Sequence, residues 1–346
     1  MTNPARGAKR IFLLSMVLTT SLFSTAAKTT PHSLDDKEAR QVTVAIVLFD
    51  GVQIIDYAGP WEVFGQAGFK VFTVADKTEP LITRFDQKVT PDYSFDNGPN
   101  ADIILLPGGR GTSKAADNPR AIKWIQDKAR NARYIMSVCT GAFLLARTGL
   151  LDGLSATTFH SAIPSLEQAA PKTKIVYDQR YVDNGKVITT AGLSSGIDGA
   201  LHLVERIQGK GQAQYEALVL EYNWEGDETP ARAAFADRYL PDFRDLDGKF
   251  ISVEGDVDHW DMHVEVWKPA SLTGIMELLK KELAATPHAT SPVVVSRQSQ
   301  TLQRWELEWK FKDDQGRAWF GNASSGPFIN EKDKFDLTLR LTRQRK

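Results

Sequence analysis

ARYIMSVCTGAFLLARTGLL (residues 132–151) changes periodicity at a single cysteine. Residues 132–138 form a strand-like, largely apolar run, and GAFLLARTGLL (141–151) is helical, so Cys139 falls at the junction. A side chain at so sharp a strand-to-helix turn is pushed out at the carboxyl edge of the sheet. There it meets the positive end of the following helix and its unpaired N–H groups. These favour a thiolate, and a lowered pKa is what makes cysteine a nucleophile at neutral pH. The same elbow presents serine in acyl-transfer enzymes. The competing reading is that a lone cysteine is a small buried hydrophobe.

The chain on the N-terminal side repeats the alternation. VTVAIVLF (42–49) is a continuous β-branched and apolar run, as in a strand buried on both faces. FKVFTVA (69–75) and ADIILLPGG (101–109) are further strands, the latter ending in a diglycine turn. A helix-like segment lies around Pro60 to Ala67, and Asn118-Pro119 opens another, with Ile122, Ile125 and Ala129 at helical spacing. After the cysteine come short strands at KIVYD (174–178) and KVITTA (186–191), then a helix over 194–207 with Ile197, Leu201, Val204 and Ile207 on one stripe. Strands alternating with helices predict a parallel sheet covered on both faces, over residues 42–225.

Beyond a linker at 226–250, which includes the aspartate-rich DFRDLDGK (242–249), the period becomes two. HWDMHVEVW (259–267), RWELEWKF (304–311) and FDLTLRL (335–341) each place apolar residues on one face, with one amphipathic helix, SLTGIMELLKKEL (271–283), among them. Residues 251–346 therefore read as a small α+β domain whose antiparallel sheet has one buried face. His259, Asp261 and His263 share a strand face and are weighed as a metal trio, with polar surface as the better reading. Trp260, Trp267, Trp305, Trp309 and Trp319 read as core in preference to a stacking platform, and His202 reads as structural.

Of 346 residues, 42% are hydrophobic and 25% charged, with a formal net charge of −1, which offers no basic surplus for nucleic acid. One cysteine excludes an internal disulfide and any multi-cysteine metal site. Arg6, Lys9 and Arg10 precede an apolar run, Ile11 to Phe23, and then Ser24-Thr25-Ala26-Ala27. That is the pattern of a cleavable signal peptide over 1–27, shorter than a comfortable membrane span. A polar leader, 28–41, follows, so the expectation is an exported, mildly acidic chain with no membrane attachment after cleavage.

FDGVQIIDYAGPWEVF (49–64), LLPGGRGT (105–112) and SVCTGAFLLARTGLLDG (137–153), with the strand at 42–49, resemble the DJ-1/PfpI family of the class I glutamine amidotransferase-like superfamily. The likeness is greatest to the branch containing isonitrile hydratase and the ligand-binding halves of AraC-type regulators. It implies a flavodoxin-like parallel sheet sandwiched by helices with a nucleophile elbow, and a homodimer. It also implies that Cys139 is the nucleophile and Asp56 the acid facing it, with backbone N–H groups of Gly109 and Thr140 directed at an oxyanion. Burial and like charge are expected to keep Asp56 protonated beside a thiolate. Read without the family, Asp56 is a helix-cap or turn aspartate, and the Gly108-Gly109 pair is a tight turn.

Thr140 stands where protease-like and deglycase-like members carry histidine, and no His-x-Glu pair follows Cys139, so a Cys-His-acid triad is not expected. Cys-Thr-Gly fits the isonitrile-hydratase branch. After Ala156-Thr157-Thr158 that branch often has histidine; here Phe159 intervenes and His160 comes one place later, leaving Gly108 and His160 as pocket candidates. The expected function is a cysteine-dependent hydratase or hydrolase on a small electrophilic molecule, without cofactor or metal. The alternative is a ligand-binding or redox-sensing protein in which Cys139 is oxidised to a sulfinate held by Asp56.

Overall fold

A computed structural model describes residues 40–224, 232–242, 245–285, 295–299, 304–328 and 333–344. The expected signal peptide and most of the leader lie outside the described residues, as does part of the linker. From Gln41 onward the chain forms one compact unit, and no described helix is long and apolar enough to cross a membrane.

Its first elements are β1 (Thr43–Val47), α1 (Ile54–Gln66), β2 (Lys70–Ala75), β3 (Leu81–Ile82), β4 (Lys88–Val89), β5 (Tyr93–Ser94), β6 (Ile103–Leu106), α2 (Thr112–Ala116) and α3 (Pro119–Asn131). Next come β7 (Tyr134–Val138), α4 (Ala142–Thr148), β8 (Ser155–Ala156), α5 (Ile163–Ala169), β9 (Lys174–Ile175), β10 (Tyr181–Asp183), β11 (Val187–Thr190), α6 (Ser194–Gln208) and α7 (Lys210–Val219). A seven-stranded sheet has the order β10-β11-β7-β6-β1-β2-β5. All its pairings are parallel except the edge pair β10-β11.

Successive strand residues point into different cores. Val44, Ile46, Ile103, Leu105, Met136 and Val138 pack with Val63 and Phe64 of α1 and Leu201 and Val204 of α6. Their neighbours Ala45, Val47, Ile104, Leu106 and Ile135 pack with Trp124 and Ile125 of α3 and Leu144 and Leu145 of α4. This is why the strands read as unbroken apolar runs. Truncating a fully buried leucine such as Leu105 to alanine costs about 2–5 kcal/mol. From β1 the chain crosses to β2 on one side and later returns to β6 on the other. The crevice at the carboxyl ends of β1 and β6 is therefore a topological switch point, where open α/β sheets bind ligands.

Three readings shift. The first helix starts at Ile54 instead of near Pro60, which lies inside it. Proline is favoured in a helix's first turn, but burial of Tyr57, Val63 and Phe64 against the sheet holds the longer helix together around Pro60. KIVYD contributes only Lys174–Ile175, paired with β8 outside the main sheet. The edge strand β10 instead comes from Tyr181–Asp183.

The second part carries α8 (Arg232–Tyr239), β12 (Asp247–Gly255), β13 (His259–Lys268), α9 (Leu272–Ala285), β14 (Val295–Ser299), β15 (Arg304–Lys312), β16 (Ala318–Pro327) and β17 (Phe335–Arg343). Its six strands form an antiparallel sheet in the order β12-β13-β17-β16-β15-β14. Trp260, Met262, Val264 and Val266 of β13 and Leu337, Leu339 and Leu341 of β17 point to the same core as Ile275, Met276 and Leu279 of α9. Trp260, Trp309 and Trp319 are buried in it, Trp305 packs against it half-buried, and Trp267 is exposed.

Candidate active site

Loops after three adjacent strands, β1, β6 and β7, meet at the switch point. Cys139 follows β7 with φ +58°, a conformation that costs a non-glycine residue about 1–3 kcal/mol unless its surroundings impose it. The surroundings do so from several sides. Buried Thr158 donates its hydroxyl to the Cys139 carbonyl (2.8 Å). Gly192, at φ +95°, lies so close that a Cβ there would sit 2.7 Å from the Cys139 Cβ and 3.1 Å from its sulfur. A Cβ on Gly108 would come within 2.6 Å of the Thr140 nitrogen. The elbow is thus closed by backbones that approach one another only because side chains are missing.

Asp56, in the first turn of α1, is fully buried. It does not cap its own helix, whose N-cap position is Gln53. Its carboxylate accepts N–H bonds from Leu193 (3.0 Å) and Gly108 (3.2 Å), on loops far apart in sequence, and the Cys139 thiol is its third partner. Burial raises its pKa to about 6, and those hydrogen bonds and the more distant Arg84 charge oppose the rise. Gln53 fastens the same corner: its N–H donates to the Gly108 carbonyl (2.8 Å) and its side chain accepts from Arg84 (3.1 Å).

One expectation about this pair is corrected. The sulfur is 7% exposed as a residue, and its thiol is pushed well above the usual range, first by burial and then by the neighbouring Asp56 charge. The Thr140 N–H, which bonds the sulfur, opposes this without reversing it. The resting proton therefore sits on Cys139 and Asp56 carries the charge above about pH 6, the opposite of a thiolate beside a protonated acid. A helix end contributes roughly 0.3–1 kcal/mol, up to ~2 in partly buried cases, too little to offset this desolvation.

The expected oxyanion donors are already hydrogen-bonded in the resting structure. The Gly109 N–H donates to the Thr140 hydroxyl (3.0 Å), and the Thr140 and Thr112 hydroxyls share a hydrogen bond (2.8 Å). Thr112 donates its single proton to the Gly109 carbonyl (2.8 Å), so Thr140 is the donor between the two threonines. The three bonds close a ring. Gly109 (φ +142°) and Thr140 adjoin the sulfur as expected, but the Gly109 N–H is spent in this ring and the Thr140 N–H on the sulfur itself.

His160 follows the buried Thr157-Thr158 pair, yet its ring nitrogen Nδ1 meets Asp237 Oδ2 of α8 at 2.5 Å. Among the described residues that carboxylate is its hydrogen-bond partner, which ties this pocket candidate to α8. Beside it Arg238 stacks over Tyr177 at 3.9 Å, and Gln315 donates to Asp178 (2.5 Å). His259, Asp261 and His263 do not converge: they pair with Asp256 (2.9 Å), Arg340 (2.6 Å) and Asp336 respectively. No group of three metal-ligating side chains gathers among the described residues. The sequence reading missed Thr158, Gly192 and Leu193. A glycine between strand and helix at 190–194 repeats the grammar of 138–142 and was the available signal.

Fold and site together define a class: an α/β sandwich with a strained cysteine elbow facing a buried carboxyl across the sheet's switch point. The DJ-1/PfpI family model matches residues 42–206. Isonitrile hydratase of Pseudomonas putida is 33% identical over 183 residues, covering 52% of this chain and 78% of that protein. The chain belongs to the DJ-1/PfpI family. The HTH-type transcriptional regulator GbdR of Pseudomonas aeruginosa is 30% identical over 123 residues, 36% of this chain and a third (33%) of the regulator's length. Among solved structures, a ThiJ/PfpI family protein from Pseudomonas syringae superimposes with TM-score 0.50 at 28% identity, covering 58% of this chain and 84% of the other. Drosophila melanogaster DJ-1beta shares the fold, with TM-score 0.50 and 23% identity over 53% of this chain and all (100%) of its own.

Proposed function

We propose that the chain is a cysteine-dependent enzyme acting on a small electrophilic carbon, with isonitrile hydration as its nearest reaction. The observation that supports this reading is the Cys139–Asp56 pair. At neutral pH a carboxylate with a pKa of about 6 already touches the proton it has to remove, the condition for general-base activation of a protonated nucleophile. With an isonitrile, the Cys139 sulfur bonds to the terminal carbon as its proton passes to Asp56. Asp56 then delivers that proton to the same carbon, leaving a thioimidate, R–N=CH–S–Cys. Water adds to this carbon, the C–S bond breaks, the sulfur regains a proton through Asp56, and an N-substituted formamide departs. One water is consumed and nothing is oxidised or reduced. The Thr140 N–H, bonded to sulfur at rest, is freed to stabilise charge on the adduct as the sulfur's lone pair is used.

The test is turnover of alkyl and aryl isonitriles by the purified chain, followed by formamide formation. Cys139→Ala is expected to abolish it, and Asp56→Asn to lower it about 10²–10⁴-fold. Full activity in either variant sinks the reading. The regulator relatives favour a second one, a non-catalytic ligand-binding or redox-sensing protein. Intact mass after mild peroxide separates the two: a gain of two oxygens confined to Cys139, without isonitrile turnover, supports the sensor. Export and dimerisation are part of the proposal and are checked by N-terminal sequencing of an extracytoplasmic fraction and by light scattering.

A further inference from the structure

A cavity of about 610 Å³ lies between α2, α4 and α5; Gly109 and Thr140 line it at one corner, and Cys139 does not. The void exists because each element presents a small side chain to it: Ala116 from α2, Ala146 from α4, Ala169 from α5 and Ala162 from the turn before α5. The space opens to solvent, with Ser113, Asp117, Ser165 and Ala169 exposed along it, and its size is within the range of small-molecule sites. Phe143 supplies one flat apolar wall. Polar groups collect at one end: the Thr112 and Thr140 hydroxyls, and two guanidinium groups, Arg110 and Arg147.

The two arginines differ. Arg147 is neutralised by Asp117, which also lines the cavity, at 2.8 Å. Arg110 has no ion pair or hydrogen bond through its side chain among the described residues. One uncompensated guanidinium over an alanine-lined space selects for one negative charge on an apolar body, and a guanidinium fork fits a carboxylate with two parallel bonds. We infer that this cavity binds a small monoanionic carboxylate with an aryl or alkyl tail, its carboxylate on Arg110 and its tail among Ala116, Phe143, Ala146 and Ala169. The inference stands beside the reading of Cys139 and does not depend on it.

The test compares 3-phenylpropionate with 3-phenylpropionamide, which is the same size and uncharged, by calorimetry and ligand-observed NMR on the full chain. The acid is expected to bind about tenfold tighter than the amide, the worth of one charge-assisted contact at a partly solvated site. Arg110→Gln is expected to remove that preference, because its side chain lies on an exposed loop and carries no internal contact. Ala169→Leu, at an exposed helix position that tolerates the larger residue, is expected to weaken acid and amide alike by filling the space. Cys139→Ser is expected to leave acid binding unchanged, so loss of isonitrile turnover and loss of acid binding report separately. No binding of the acid at 10 mM, no preference over the amide, or a preference that persists in Arg110→Gln each overturns the inference.

Discussion

Replacing Asp56 by asparagine turns the buried carboxyl's raised pKa into a measurable stability difference. In the unfolded chain the group ionises at its ordinary 3.8, and in the folded chain at about 6. Between these values the folded state holds a proton that the unfolded state has released. Stability therefore falls as pH rises from about 4 to about 6 and then levels off. A shift of this size amounts to about 3 kcal/mol in total, of which about 2 kcal/mol is lost between pH 4.5 and 7.5. Asparagine abolishes that titration but has one acceptor oxygen where the carboxylate used two, so either the Leu193 or the Gly108 N–H loses its partner, costing about 1–3 kcal/mol. The absolute stability of the variant mixes the two effects. Its pH dependence does not, because every other ionisable group, Asp198 included, is common to both proteins. Urea unfolding at several pH values, with the slope in denaturant held equal, gives the difference directly. The variant-minus-wild-type stability is expected to rise by about 2 kcal/mol from pH 4.5 to 7.5. A difference that stays flat, or that falls as pH rises, refutes the assignment of a buried, reluctantly ionised carboxyl.

Iodoacetamide alkylation of Cys139 at pH 7.5 is expected to be slow in the wild type and faster in Asp56→Asn, since the Asp56 charge is one of the forces holding the thiol up; an equal or slower rate in the variant contradicts the proton placement. Isonitrile turnover is expected to rise through about pH 6 and plateau above it, because the base form of Asp56 is needed; a rate that falls over that interval contradicts Asp56 as the base. Thr158→Val releases the carbonyl of the strained Cys139 and is expected to cost about 1–3 kcal/mol in denaturant unfolding, with Thr158→Ser restoring most of it; a neutral valine variant shows that the elbow does not need this bond.

Much of the scaffold was legible because it rests on local periodicity. The runs at 42–49, 101–106 and 132–138 carry no polar side of the kind a half-solvated strand needs, and Cys139 sits at the change of period. The tail's alternation at 259–266 and 335–341 matched its buried face residue by residue. What escaped depends on contacts that sequence spacing does not encode. His160 is claimed by Asp237, and the Gly109 N–H by the rotamer of Thr140. Tyr181–Asp183 is too short for its period to register, and it became a strand only by pairing with Thr190–Ile188.

The proton's location is the most instructive miss, because the rule applied to it was sound and was outweighed. An elbow cysteine does meet an N–H group, and the Thr140 bond to sulfur does pull its pKa down. Yet burial acts on sulfur and carboxyl alike, and two charges in contact in a dry pocket repel; the pair therefore keeps one proton between them at neutral pH. The group with the lower intrinsic pKa, Asp56, keeps the charge. Such a site holds its nucleophile in reserve. The sulfur becomes nucleophilic only when an electrophile near enough to share its lone pair makes transfer of the proton to Asp56 favourable. A reagent that needs a standing thiolate, peroxide among them, finds little to attack, whereas a small carbon electrophile that fits against Gly192 and the Thr140 N–H completes the proton transfer by its own arrival.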